Sequence, residues 1–392
     1  MNTLFPVIGQ KDVLDMLHRV DKTERYANAY LFHGPQGVGK EAVAMEFAAI
    51  MNCQSEQNKP CGECKGCKQM RSLQHPNVHL IFALPGGGSG TDPLKGLSEE
   101  VIEIIQKAIA KKSENPYSKI QIKNAQNIKI SSIRAMQKDV HLAKSEAGRK
   151  IVLIFEAERM NKSAFNSILK IVEEPPEDTS FVFTTNSLHQ IPETIRSRSQ
   201  QVPLRLLTEE DILQGLHTFV PSMEKTTMEQ VSRLSNGDFG FALSLSQKNL
   251  QDLEGQVLDF IRAVMQGRAI TINEQVKALE TLSDLERTRF LLLVQLWFRD
   301  ANRWAETESD DRIIFRQMLD KIQGFVEYYP DMNYQSAQIL LESSVDYVER
   351  NVYPRLALFS LIVQLHKATQ GTLEEINYAN RRRYQSNYLR GV

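Results

Sequence analysis

At 392 residues the chain exceeds one ordinary core, so two or three domains are expected. Its 42% hydrophobic and 24% charged residues are those of a soluble globular protein. A net charge of −1 excludes broad electrostatic capture of nucleic acid, so any DNA contact must come from local placement of charge. The opening Met1-Asn2-Thr3-Leu4-Phe5-Pro6 lacks a basic region followed by an apolar one, and no apolar run is long enough to span a bilayer. A cytoplasmic chain without membrane contact is expected, and a reducing compartment makes two disulfides the weaker reading of its four cysteines.

The first ~200 residues alternate short β-rich runs with helical stretches, the pattern of a parallel sheet with helices on both faces. Tyr30-Leu31-Phe32 is the first strand. Gly34-Pro35-Gln36-Gly37-Val38-Gly39-Lys40-Glu41 follows it and opens a helix, the context that a P-loop requires. Gly34, Gly37 and Gly39 let backbone amides point at a phosphate, and Lys40 stands where β- and γ-phosphates would be neutralised. A working loop carries Ser or Thr after the lysine as a Mg²⁺ ligand, and here that residue is Glu41.

All four cysteines come next, at positions 53, 61, 64 and 67. Two overlapping C-x-x-C pairs and one upstream thiol can close a tetrahedron on Zn²⁺ at ~2.3 Å per bond. A closed set of four ligands, Cys53, Cys61, Cys64 and Cys67, predicts a structural rather than a catalytic metal, with Lys65 and Lys68 offsetting its charge. His79–Ala83 is a second strand. Pro85-Gly86-Gly87-Gly88-Ser89-Gly90 and a helix near Leu97–Lys112 then form an insertion, about 85–120, expected on the surface.

Lys150–Phe155 is the third strand, and a helix before it starts near Ser131-Ser132, where free amides suit a DNA phosphate. A strand of this kind in a working ATPase ends in Asp-Glu, the Asp holding metal. Phe155-Glu156 has lost it, a second independent defect that predicts no hydrolysis and weak nucleotide binding or none. Ser180–Thr185 is the fourth strand. After Val202-Pro203-Leu204 the β signal fades into short helices over Glu209–Val220, Thr227–Ser235 and Phe241–Leu245. From about Leu253 to Thr369 the chain is helical with apolar spacing such as Phe290, Leu293, Val294 and Trp297, and a basic tail, Asn380–Tyr384, reads as a solvated terminus.

In this order the features resemble the bacterial clamp-loader ATPases of DNA polymerase III, the gamma/tau and delta-prime subunits. The motifs are Ile8-Gly9-Gln10, Ala29–Phe32, the P-loop with its cysteine module, Asn166–Pro176 with its Glu-Glu-Pro-Pro, and Ile191–Ser199. The likeness covers roughly residues 1–245 by motif and the remainder by architecture. It implies an AAA+ core over 1–205 with a zinc module at 53–67, a helical lid over 206–250 and a helical collar over 251–392. Arg198, in Ser197-Arg198-Ser199, matches the family's Ser-Arg-Cys arginine, which enters the ATP site of the next subunit as an arginine finger. The family's sensor arginine is replaced by Gly240. With Glu41 and Phe155 this implies the delta-prime branch, not an enzyme by itself, with an active gamma/tau-type ATPase as the alternative. The partners implied are gamma/tau and delta subunits in a hetero-oligomeric ring, the sliding clamp and primer–template DNA. A stand-alone zinc-dependent nucleic-acid module is the further rival, against which the neutral charge argues.

Overall fold

Side chains that point alternately to the two faces of buried strands set the layers of the first half. The structure, a computed structural model, describes residues 3–86, 92–142, 146–349 and 354–372. Most of the glycine-rich stretch (residues 87–91) and the basic tail lie outside them. Tyr30 and Phe32 of β1 (Ala29–His33) face one apolar cluster, and Ala29 and Leu31 face another. In β3 (Lys150–Ile154), Ile151 and Leu153 join the first cluster, while Val152 and Ile154 join the second. A period of two on strands covered from both sides gives helix, sheet, helix.

The sheet has five parallel strands in the order β2-β3-β4-β1-β5, with β2 at Val78–Ile81, β4 at Thr179–Thr185 and β5 at Gln200–Pro203. Register pairs His33 with Thr185 and Ile154 with Phe183, so β1 ends level with β4 and β3 two residues short of it. Helices α1 (Lys11–Thr23), α2 (Lys40–Met51) and α3 (Lys65–Arg71) belong to the first face. The second is covered by α5 (Ile130–His141) and α6 (Lys162–Glu173), the latter capped by the Asn161 side chain accepting from Ala164 N–H at 2.9 Å. Between β2 and α5, α4 (Glu99–Glu114) has a satellite core in which Leu84, Ile105 and Ile122 are buried.

The chain divides into two compact units, 1–243 and 244–392. The first also holds α7 (Glu193–Arg196), α8 (Glu209–Phe219), α9 (Lys225–Leu234) and most of α10 (Phe239–Leu245), so the helices expected as a lid cluster with the sheet. The second unit is helical: α11 (Leu250–Gln266), α12 (Ala269–Glu280), α13 (Asp284–Thr307), α14 (Leu319–Tyr328), α15 (Tyr334–Glu349) and α16 (Pro354–Thr369). Phe290, Leu293, Val294 and Trp297 of α13 are all buried, and Trp297 meets Phe325 edge-on at 4.8 Å. The helix starts in a capping box between Ser283 and Glu286. Among the described residues no helix is long and apolar enough to cross a membrane.

Candidate nucleotide pocket and metal centre

Parallel strands place ligands at their carboxyl ends. There the loop after β1, the Glu156 turn after β3 and Thr184-Thr185-Asn186 after β4 line one pocket. Gly37 and Gly39 have φ of +74° and +94°, left-handed conformations that glycine adopts without strain. At Gly37 a Cβ would also lie 1.7 Å from Asp238 Oδ1, so glycine alone fits there. Gly39 caps α2, whose first residue is Lys40, as the P-loop reading predicts. Lys40 Nζ donates to the Gly34 carbonyl at 2.8 Å and the Pro35 carbonyl at 2.5 Å. Burial, with Lys119 nearby, pushes this amine down to about 8.

Neither carboxylate of the pocket is open. Lys112 Nζ is paired to Glu41 and also donates to the carbonyls of Pro116 at 2.5 Å and Ser118 at 2.8 Å. The same ammonium sits 5.4 Å from the ring centre of Phe155, the residue before Glu156. Lys119 Nζ reaches Glu156 Oε1 at 2.6 Å, and Arg159 Nε meets the other oxygen at 3.2 Å. Burial alone would raise the Glu156 carboxyl, yet Lys119, Arg159 and Lys112 hold it down at about 2. Glu158 Oε1 accepts from the Asn186 backbone at 3.0 Å and its side chain at 3.1 Å.

These lysines come from the insertion, most of whose described residues are exposed or half-buried. In the last turn of α4 Lys111 and Glu114 are exposed, while Lys112 between them is buried against the pocket. Nothing in the local sequence marks Lys112, Tyr117 or Lys119, because Glu41, Ile8 and Glu156, which give them meaning, lie far away in the chain. The helix α5 begins beside Ser131 and Ser132, as expected, and both side chains are buried.

The four cysteines converge. Their sulfurs all lie within 4.8 Å of one another, with Cys61–Cys67 at 3.9 Å and Cys53–Cys64 at 4.0 Å. A tetrahedron with ~2.3 Å bonds has edges of ~3.8 Å, so the set fits a closed metal site. Backbone N–H groups aim at the sulfurs: Cys61 to Cys53 at 3.3 Å, Cys64 to Cys61 at 3.4 Å and Cys67 to Cys64 at 3.4 Å. The amides of Cys64 and Glu63 lower the Cys61 thiol to about 6, whereas burial raises Cys53 and Cys67. Gly66 is packed so closely that a Cβ would lie 2.3 Å from the Asn52 carbonyl. Lys65 is not left to the sulfurs alone, since it pairs with Glu146 at 2.5 Å.

Arg198 stands beyond α7, its side chain 41% exposed. Its Nε meets Glu173 Oε1 at 2.7 Å and its Nη1 the Thr194 carbonyl at 3.1 Å. Glu173 ends α6 and belongs to the Glu-Glu-Pro-Pro run, so two family motifs meet here. Arg196 pairs separately with Glu193.

The fold and pocket define a P-loop-type α/β core that carries a four-cysteine centre. The family described as DNA polymerase III, delta subunit matches residues 9–208, and the chain belongs to that family. Among curated relatives it is 26% identical to the DNA polymerase III subunit tau of Bacillus subtilis over 80% of this chain and 49% of that one. It is 27% identical to the Bacillus subtilis subunit delta' over 59% of this chain and 60% of that one. The chain thus spans about half the length of the tau relatives it matches. A DNA polymerase III gamma subunit-related protein of Thermotoga maritima aligns over 90% of this chain and 99% of its own, at 18% identity and a TM-score of 0.41.

Proposed function

We propose that the chain is a non-hydrolysing, delta-prime-type member of the clamp-loader assembly in the cytoplasm. It joins gamma/tau and delta subunits in a hetero-oligomeric ring and helps place the sliding clamp on primer–template DNA. It supplies Arg198 to a neighbour's ATP site. One observation carries the non-hydrolysing part: Glu41 and Glu156, the carboxylates bordering the phosphate loop, are both held by lysines of the same chain. Phosphoryl transfer depends on a metal bridging the phosphates and on a residue orienting water, and both seats are taken.

Within this reading, residues 1–205 serve as the core, 206–250 as the lid and 251–392 as the collar that meets other subunits. Cys53, Cys61, Cys64 and Cys67 hold a structural Zn²⁺, which would cross-link the α2–α3 connection without chemistry of its own. The second reading, an active gamma/tau-type motor, is favoured by the similarity to tau over 80% of the chain. Radiolabelled ATP hydrolysis by the isolated chain separates the two. No turnover is expected; turnover that Lys40→Ala abolishes would establish the motor.

A further inference from the structure

Beside the phosphate loop lies an aromatic slot, and a side chain of the insertion fills it. The Tyr117 ring meets Phe219 edge-on at 5.8 Å and Phe239 at 4.7 Å, and those two rings meet each other at 5.4 Å. The Tyr117 hydroxyl accepts from Ile8 N–H at 2.8 Å. On its other side it abuts the loop, since a Cβ at Gly39 would come within 3.0 Å of that oxygen. An apolar slot with one backbone donor, opening next to phosphate-directed amides, has the make-up of a site for a nucleotide base.

The rest of the turn completes the pattern. Lys112 and Lys119 bring ammonium groups to Glu41 and Glu156, where a bound nucleotide would bring its divalent cation. The turn is also pre-shaped: Asn115 Oδ1 accepts from Tyr117 N–H at 3.0 Å, and its carbonyl accepts from Ser118 N–H at 2.9 Å. Lys112 ties the Pro116 and Ser118 carbonyls to the same point, and α4 rests on its satellite core. Little ordering entropy is left to oppose insertion of such a segment.

We infer that residues 112–119 act as a tethered pseudo-ligand, with Tyr117 in the seat of a purine base and Lys112 and Lys119 in that of its divalent cation. The pocket is therefore shut by the insertion and not by decay of the phosphate loop, whose Gly37, Gly39 and Lys40 keep their geometry. Tyr117 also joins Ile8 to α8 and α10, so this contact holds the helices to the core without nucleotide. The inference rests on reading the pocket as a P-loop nucleotide site. It is separable from the question of hydrolysis.

The test is titration of the full chain with a fluorescent ATP analogue and magnesium. Wild type and Tyr117→Phe, in which a ring still fills the slot, are expected to show no saturable binding up to millimolar analogue. Tyr117→Ala, checked for folding by circular dichroism, is expected to bind at least about tenfold tighter, because apparent affinity scales with the open fraction. Equal affinity in wild type and Tyr117→Ala, or no binding by folded Tyr117→Ala, would overturn the pseudo-ligand. Should Tyr117→Ala not fold, hydrogen exchange of wild type decides: ATP that leaves the amides of residues 37–40 unchanged supports it, and ATP that protects them refutes it. Turnover is scored separately. Binding without hydrolysis in Tyr117→Ala supports the pseudo-ligand and leaves the proposed function standing, whereas hydrolysis by wild type defeats both.

Discussion

Glu156 and Lys40 show how the pocket balances charge residue by residue. Glu156 sits at about 2, below its ordinary 4.5, so its pairing stabilises the fold fully above 4.5 and is lost as pH falls towards 2. Removing Lys119 takes away the nearest cation. Lys119→Met is expected to raise the pH midpoint of acid unfolding, read by far-UV circular dichroism across that window. Lys40 runs the other way. Held at about 8 against an ordinary 10.5, its charge is unfavourable near neutrality, and the stability so withheld is recovered as pH rises between those values. The melting temperature of wild type relative to Lys40→Met should therefore increase from pH 8 to pH 10.5. A difference that stays flat would contradict the desolvated environment of the amine.

At the scale of elements, the cysteine module is tied down by its own ligands. Cys64 caps α3, its sulfur accepting from Cys67 N–H, so metal binding and helix initiation share one atom. One zinc per chain is expected after extensive dialysis, and Cys64→Ser should release it. Far-UV circular dichroism should change little, because the sheet has buried clusters on both faces. Folded, reduced wild type free of zinc would remove the structural-metal reading. In the second unit, Ser283→Ala deletes the capping box of α13 and is expected to cost about 1 kcal/mol in chemical denaturation. Much at this level was legible in the sequence. Four of the five strands were apolar runs, and the convergence of the four sulfurs was marked by the clustering of every cysteine. β5 was obscured because Gln200 and Gln201 are exposed, leaving Val202 as its buried residue. The filling of the pocket was not legible at all. Tyr117 is one aromatic in a polar stretch, and its meaning depends on Phe219 and Phe239, about a hundred residues away.

For the whole molecule, the proposed role rests on Arg198 working outside its own chain. Its bond to Glu173 is a partly exposed ion pair, a class that contributes about 0–1 kcal/mol, so Arg198→Ala should fold and assemble. Clamp-stimulated ATP hydrolysis by rebuilt assemblies is expected to fall in Arg198→Ala and not in Arg196→Ala, whose partner is the adjacent Glu193. Fingers contribute roughly 10³–10⁵ in GTPases, and the loss here should be smaller because other sites of a ring would keep theirs. Lysine should not restore it, lacking the planar fork that spans two phosphate oxygens. Activity equal to wild type in Arg198→Ala would make the chain a passive scaffold. Tyr117 carries a different consequence. A diffusible ligand vacates its site when its supply runs down, whereas a side chain on a short tether faces a local concentration fixed by the covalent chain, in the millimolar range or above. No shift in the cell's ratio of ATP to ADP alters that figure. If the chain works within an assembly as proposed, the timing of that assembly's cycle would be read by its other members, against one whose pocket stays constant through fed and starved states alike.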